Sequence, residues 1–289
     1  MNRATVHGWL LVLPALVLLV GFTHYPALAT LIDSLYSTPR GSRPAVFVGL
    51  DNYAGLIDDP IFWQALGNNA IYALATIPLS IILALAMALA VNEALPGRAL
   101  LRMGYFLPTM LPMIAVANIW LFFYTPDYGL LDQMIGLFGG GRTNWLGDAR
   151  TALWAMIAVA VWKEAGFFMI FYLAALQAMP ADLKEAAALE GSSRFNFLRR
   201  VTLPLLMPTT LFVLVNAVIN GFRLVDHVVV MTRGGPDNAT SLLLYYIYEV
   251  GFRFWDTATA AALTMVLLVI LAAAAAVQFG VIGRRVHYR

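Results

Sequence analysis

Two adjacent ionisable residues, Lys163 and Glu164, stand in the middle of an apolar run, residues 151–179. Charges at such a position are costly in a lipid-like medium, and they face either a helix bundle or a water-filled path. Consecutive side chains on a helix point about 100° apart, so the two are not simply each other's partner. They line a path through the bundle, or they form structural ion pairs with other segments. In a later apolar run Asn216 and Asn220 lie one turn apart, with Arg223 close behind. Two amides on one face can hold a polyol's hydroxyls or can hydrogen-bond neighbouring helices. None of these groups makes a nucleophile and base pair. There is no cysteine, which excludes disulfides, thiolate metal sites and a cysteine nucleophile. His7, His24, His227 and His287 are too scattered for a metal site, so no catalytic or metal-binding residue is assigned.

The elements that position these groups follow from composition. Of 289 residues 61% are hydrophobic and 12% charged, and the mean hydropathy is +0.77, whereas soluble domains are about half apolar and about a quarter charged. The chain is an all-α, polytopic membrane protein. Six runs reach the roughly 20 residues needed to cross a bilayer, at about 9–36, 67–91, 103–124, 151–179, 201–222 and 258–282. A net charge of +2, spread in small groups near span ends, gives no reason to invoke nucleic acid. Lys and Arg mark cytoplasmic ends. The shorter set of loops and termini holds Arg3, Arg98, Arg102, Lys184, Arg194, Arg199, Arg200, Arg284, Arg285 and Arg289. The longer set holds Arg40, Arg43, Arg142, Arg150, Arg223, Arg233 and Arg253. The first set is the denser in basic residues, so both termini are expected in the cytoplasm. The first apolar run, with Arg3 ahead and Ala27-Leu28-Ala29 behind, has the outline of a signal peptide. Apolar character continues past Pro26 through Leu28, Leu31 and Ile32, and retention is expected.

Between the fourth and fifth runs lies a polar, basic loop, residues 180–200, which either merely connects two spans or is gripped by a partner outside the membrane. Residues 182–190 are mostly strong helix formers, with Pro180 ahead and Asp182 where a carboxylate suits the helix dipole. Gly191 suits a left-handed helix end, and Ser192 or Ser193 can cap the helix that follows. Ala186, Ala187 and Ala188 let a partner approach closely, while Leu183 and Glu185 supply an apolar and an ionic contact. Beyond the bend, Phe195, Leu198 and Val201 share a face, and Arg194, Arg199 and Arg200 can reach lipid headgroups. Prolines at 78, 108 and 112 fall inside or at the start of spans, and Pro78 predicts a kink in the second. Gly139-Gly140-Gly141 is a flexible turn. No lysine follows it, and neither Lys163 nor Lys184 completes a phosphate-binding loop, so ATP hydrolysis by the usual machinery belongs to another chain.

Glu185-Ala186-Ala187, Gly191 and Leu203-Pro204 recur at the spacing by which permeases of ABC importers engage their ATPases, and the segment resembles that loop. The turn Gly49-Leu50-Asp51-Asn52-Tyr53 is typical of the sugar-importing branch. So is Thr232-x-Gly234-Gly235-Pro236-x-x-x-Thr240, followed by Tyr246, Tyr248, Gly251 and Phe252. Glu190 departs from the pattern, which often has Asp there. The chain thus resembles the carbohydrate-uptake, maltose-type permeases, and residues 227–240 and 245–255 look most like the glycerol-3-phosphate branch.

The resemblance implies one transmembrane domain, 1–289, in the bacterial cytoplasmic (inner) membrane, with a cytoplasmic coupling helix carrying Glu185, Ala186, Ala187, Glu190 and Gly191. It implies a second permease subunit, two ATPase subunits that hold ATP and Mg, and an extracytoplasmic solute-binding protein contacting Gly234, Gly235 and Pro236. No cofactor is bound by this chain itself, and its small partners are membrane lipid and a sugar, polyol or glycerol-3-phosphate-like solute. On this view Lys163, Glu164, Asn216, Asn220 and Arg223 lie along the solute path. The competing class is an ion-coupled secondary transporter or channel, with Lys163 and Glu164 coupling to ions and a passive loop.

Overall fold

Backbone polar groups in a bilayer must be satisfied internally, which favours helices over open strands. The computed structural model describes residues 3–93 and 97–282, and Arg284, Arg285 and Arg289 lie outside them. Among the described residues the only β pairing is two isolated bridges, Tyr36 to Phe47 and Arg40 to Arg43. The helices are α1 (Arg3–Leu19), α2 (Tyr25–Asp33), α3 (Asp51–Ile57), α4 (Pro60–Asn92), α5 (Arg98–Met110), α6 (Met113–Phe123), α7 (Leu130–Leu137) and α8 (Ala152–Gln177). They continue as α9 (Ala181–Leu189), α10 (Arg194–Phe197), α11 (Leu203–Leu205), α12 (Met207–Arg223), α13 (Asp226–Met231), α14 (Leu243–Tyr248) and α15 (Thr257–Val277). Wider, π-helical turns join α1 to α2 and α10 to α11.

Five stretches are long and apolar enough to cross a membrane: His7–Asp33, Pro60–Asn92, Ala152–Gln177, Met207–Met231 and Thr257–Gly280. The expected third span, 103–124, is corrected to a bent pair of helices, because α5 and α6 meet at 104°. Pro112 has no N–H to give, and it forces Leu111 into extended backbone at φ −82° and ψ 138°, so α5 stops at Met110. Pro108 and Pro78, by contrast, stay inside their helices. The fifth span starts at Met207 rather than 201, since residues 198–205 are spent on the π-helical turn and the single turn of α11.

The domain expected over 1–289 comprises two compact units, one of residues up to Phe62 with Tyr246–Val269, the other of Trp63–Tyr245 with residues from Ile270 on. In the first, the Asn52 amide donates to the carbonyls of Ser34 and Tyr36, both at 2.8 Å. The turn at Gly49–Tyr53 is thereby pinned to the end of α2. Tyr246 donates to Asp59. Asp256 opens α15 by accepting from the Thr259 backbone at 3.2 Å and from the Thr38 hydroxyl. Partial burial opposes its charge, yet these hydrogen bonds hold its carboxyl below the usual range.

In the second unit the core lies where α4, α8 and α12 meet. Ala84, Ala88 and Val91 of α4 pack with Ala165, Phe168 and Tyr172 of α8 and Val213 and Ala217 of α12. Small residues on each helix set this close approach. Gly166 does the same for α5: a methyl group there would overlap the Tyr105 carbonyl oxygen.

Candidate functional site

The polar segment between α8 and α12 is built by local rules. Helix α9 carries Asp182 in its first turn and ends at Gly191, whose φ of +68° only glycine takes without strain. The Ser192 N–H reaches the Ala187 carbonyl at 2.9 Å and the Gly191 N–H reaches Ala188 at 3.1 Å, the paired bonds that close a helix in a Schellman motif. Ser193, in extended backbone, then accepts from the Asn196 N–H at 3.3 Å and caps α10. Of the two serines, only the second is the cap.

Glu185, Ala186 and Glu190 are exposed and Ala187 is half-buried, while Leu189 stands 90% exposed at the tip. Beneath α9 is a cleft of about 450 Å³, lined by Leu89, Leu176, Leu183, Lys184, Phe197 and Leu198 among others. Of Phe195, Leu198 and Val201, expected to share an apolar face, the last two are half-buried. Phe195 points out at 68% exposure, because α10 is one turn long and the π-helical turn after it changes the phase. Arg194 meets Glu93 at 3.6 Å, both exposed.

The mid-membrane pair divides its partners. Lys163 donates from Nζ to the Leu111 carbonyl at 3.0 Å, with the Pro108 and Thr109 carbonyls at 3.5 Å. These are the oxygens that the break after α5 leaves without helical donors, and a cation there also suits the negative end of the helix. Glu164 turns to α12 instead, and its Oε2 accepts from Asn220 Nδ2 at 2.7 Å. Of the two readings of Lys163 and Glu164, the observed contacts are helix-to-helix bonds, made to a carbonyl cluster and an amide rather than to opposite charges. Asn216 does not join them: its amide donates to Phe212 on its own helix at 2.8 Å. Arg223 is exposed at the last residue of α12. The structure therefore brings Glu164 and Asn220 together, turns Lys163 to the end of α5, and leaves Asn216 and Arg223 apart.

At the far end of α12 the Gly-Gly-Pro turn is tied down from several sides. Gly234 is buried, with φ of +80°, and a side chain there would come within 2.7 Å of the Tyr245 ring. Gly235 and Pro236 are half-buried, and Asp237 is exposed. The Thr240 hydroxyl contacts the Gly235 carbonyl and the Thr232 hydroxyl, both at 2.7 Å. From α4, Asn68 donates to the carbonyls of Asn238 and Ser241, and Gln64 to that of Asp237.

Sequence reasoning missed three contributors. Gly166 was one glycine in an apolar run, and nothing local showed that Tyr105 lies against it. Asn69, buried in α4, donates to the Gly221 carbonyl at 3.3 Å and accepts from the Leu243 N–H at 3.2 Å. The break at Leu111 did have a signal, since a residue before proline avoids helical backbone.

Residues 76–287 match the family model described as "binding-protein-dependent transport system inner membrane component". The trehalose/maltose transport system permease protein MalF of Thermococcus litoralis is 35% identical over 84% of each chain. The lactose transport system permease protein LacF of Rhizobium radiobacter is 36% identical over 89% of this chain and 87% of the relative. The sn-glycerol-3-phosphate transport system permease protein UgpA of Agrobacterium fabrum is 32% identical over 97% and 96%. In fold, the chain superposes with a TM-score of 0.82 on a chain of a bacterial ABC transporter involved in alginate import, at 23% identity and 96% coverage.

Proposed function

Because the chain belongs to the family of binding-protein-dependent transport system inner membrane components, we propose that it is one permease subunit of an ATP-driven importer for a sugar, polyol or glycerol-3-phosphate-like solute. Relatives named for trehalose/maltose, lactose and sn-glycerol-3-phosphate transport support that range of solutes. Its partners are a second permease, two ATPases that bind ATP and Mg on the cytoplasmic side, and an external solute-binding protein. Such a receptor accompanies the alginate transporter to which this fold is similar. Both termini and α9 face the cytoplasm, in keeping with the distribution of Arg and Lys.

The observation that carries the reading is the form of the segment from α9 to α10: a short helix, closed at both sides of a glycine bend by named hydrogen bonds, presenting exposed Glu185 and Ala186. A limp loop dissipates force, whereas a helix capped in this way moves as a unit. In the mechanism, ATPase closure displaces α9 and the spans pass from inward-facing to outward-facing. Turning a conformer ratio from 1:99 to 99:1 takes about 5.5 kcal/mol of differential binding, so α9 must be gripped firmly. The solute path runs along the face of α8 and α12 near Lys163, Glu164 and Asn220, and the half-exposed Pro236 turn meets the binding protein.

The test is Gly191→Pro, whose ring requires negative φ where the chain has +68°, alongside Glu185→Lys. Both variants are expected to reach the membrane at normal levels, to lose solute uptake by at least tenfold, and to leave ATP hydrolysis uncoupled. Normal uptake by either would remove α9 from the mechanism.

A further inference from the structure

Three hydroxyls on successive turns of α4, those of Tyr72, Thr76 and Ser80, are buried at 1%, 5% and 1% exposure. None has a hydrogen-bond partner among the described residues. Tyr72 and Thr76 come near each other without the geometry of a full hydrogen bond, and Glu164 is close enough to act on Tyr72 through its charge. All three line one small cavity together with Glu164 and Asn220, walled by Ile77, Phe168 and Ala217. An orphaned buried hydroxyl costs about 1–3 kcal/mol, so three on one wall would be a heavy burden on the packing of α4. The cavity measures about 10 Å³, close to the roughly 10–15 Å³ that one water requires, and a buried water needs about two to four polar partners.

We propose that this seam between α4, α8 and α12 is a binding site for a single water molecule. The water accepts from hydroxyls of α4 and donates to the Glu164 carboxylate, whose Oε2 is already held by Asn220 at 2.7 Å. Glu164 is thus fixed from both sides, by an amide of α12 and by a water carried on α4. Thr76 and Ser80 are positioning residues that act on Glu164 through the water. A sodium ion is the other small ligand for such an oxygen cluster, but metal coordination uses only lone pairs and would leave the hydroxyl protons without acceptors. Water satisfies donors and acceptors together. The inference concerns the packed state of the three helices and stands whichever solute the chain transports.

The experiment is a high-resolution structure of the full chain in lipid nanodiscs with the subunits that co-purify with it, solved in sodium and again in N-methylglucamine buffer. One density peak is expected within hydrogen-bond reach of Thr76, Ser80 and Glu164, equal in both buffers. It should fall below half occupancy in the Thr76→Val, Ser80→Ala double variant and return in Thr76→Ser. A peak that disappears without sodium would make the ligand a cation. A seam with no peak, its hydroxyls turned to backbone carbonyls, would end the proposal. Loss of uptake in Gly191→Pro bears on α9 alone and leaves this result untouched.

Discussion

The segment from α9 to α10 and the cluster around Lys163 and Glu164 are both polar and both interrupt apolar chain, yet they are held by opposite means. The hydrogen bonds that close and cap the first join residues at most five apart, such as Ser192 to Ala187 and Asn196 to Ser193, and its ion pair from Arg194 to Glu93 is exposed. The bonds that hold the second run from Lys163 to Leu111 and from Glu164 to Asn220, more than fifty residues away in sequence. The first is exposed, so its contribution to stability is small and its shape is free to serve a partner. The second is half-buried, and there an unmet group costs more of the desolvation penalty. Changes at the first should therefore alter coupling without loosening the fold, and changes at the second should loosen the fold whatever else they do.

The largest effect that would sharpen this contrast is expected from Gly166→Val. Even a methyl group at this position overlaps the Tyr105 carbonyl oxygen, which is backbone and cannot rotate aside, and Thr109 Cγ2 lies at 3.0 Å. Helix α5 must be pushed off α8, at a cost above the roughly 1–3 kcal/mol typical of core overpacking. The membrane-extracted protein should lose most of its monodisperse fraction in size-exclusion chromatography. A wild-type profile would mean that α5 is free to shift and that the cluster is less tightly built than α9.

Lys163→Met comes next. It keeps the length of the side chain and removes the donor, leaving the Leu111, Pro108 and Thr109 carbonyls at the helix break to find other partners. A destabilisation of about 1 kcal/mol is expected, the low end for a lost hydrogen bond, since the Leu111 contact is exposed and those to Pro108 and Thr109 are long and part-buried. It would be read as a lower thermal unfolding midpoint, with uptake falling in step with the amount of folded protein. A loss of uptake larger than the loss of folded protein would mean that Lys163 serves the proposed solute path directly, beyond holding α5 to α8.

The same contrast explains what was legible in the sequence. Helix propensity, an acidic first turn, glycine at a helix end and serine at a cap are local rules, and they placed α9, Gly191 and the following cap with no knowledge of the fold. Spans were legible from apolar length, except where Leu111 and Pro112 bend one of them, an ending that proline chemistry does encode. What the chain order hides is which helices meet. Lys163 and Glu164 were evident as costly charges whose directions differ, but a carbonyl cluster as partner of one and Asn220 as partner of the other required α5, α8 and α12 in place. Asn216 shows the same limit from the other side. It shares a face with Asn220, and yet its amide donates to Phe212 on its own helix.

Ser193→Ala is the gentlest probe, and it tests the local half of the contrast. Losing an N-cap costs about 0.5–2 kcal/mol, but α10 is a single exposed turn, and the Gly191 bonds that close α9 do not depend on the Ser193 hydroxyl. The thermal midpoint should stay within a degree or so of wild type, because an exposed turn that frays is not part of the cooperative core. Uptake should fall by about twofold, since residues 193–197 then sample open conformations and transmit less of the displacement of α9. Amide hydrogen exchange would show faster exchange confined to residues 194–198. Faster exchange reaching Phe168 or Ala217 would mean that the bend and the α4–α8–α12 core form one cooperative unit, and that the division between a locally held lever and a distantly held core is wrong.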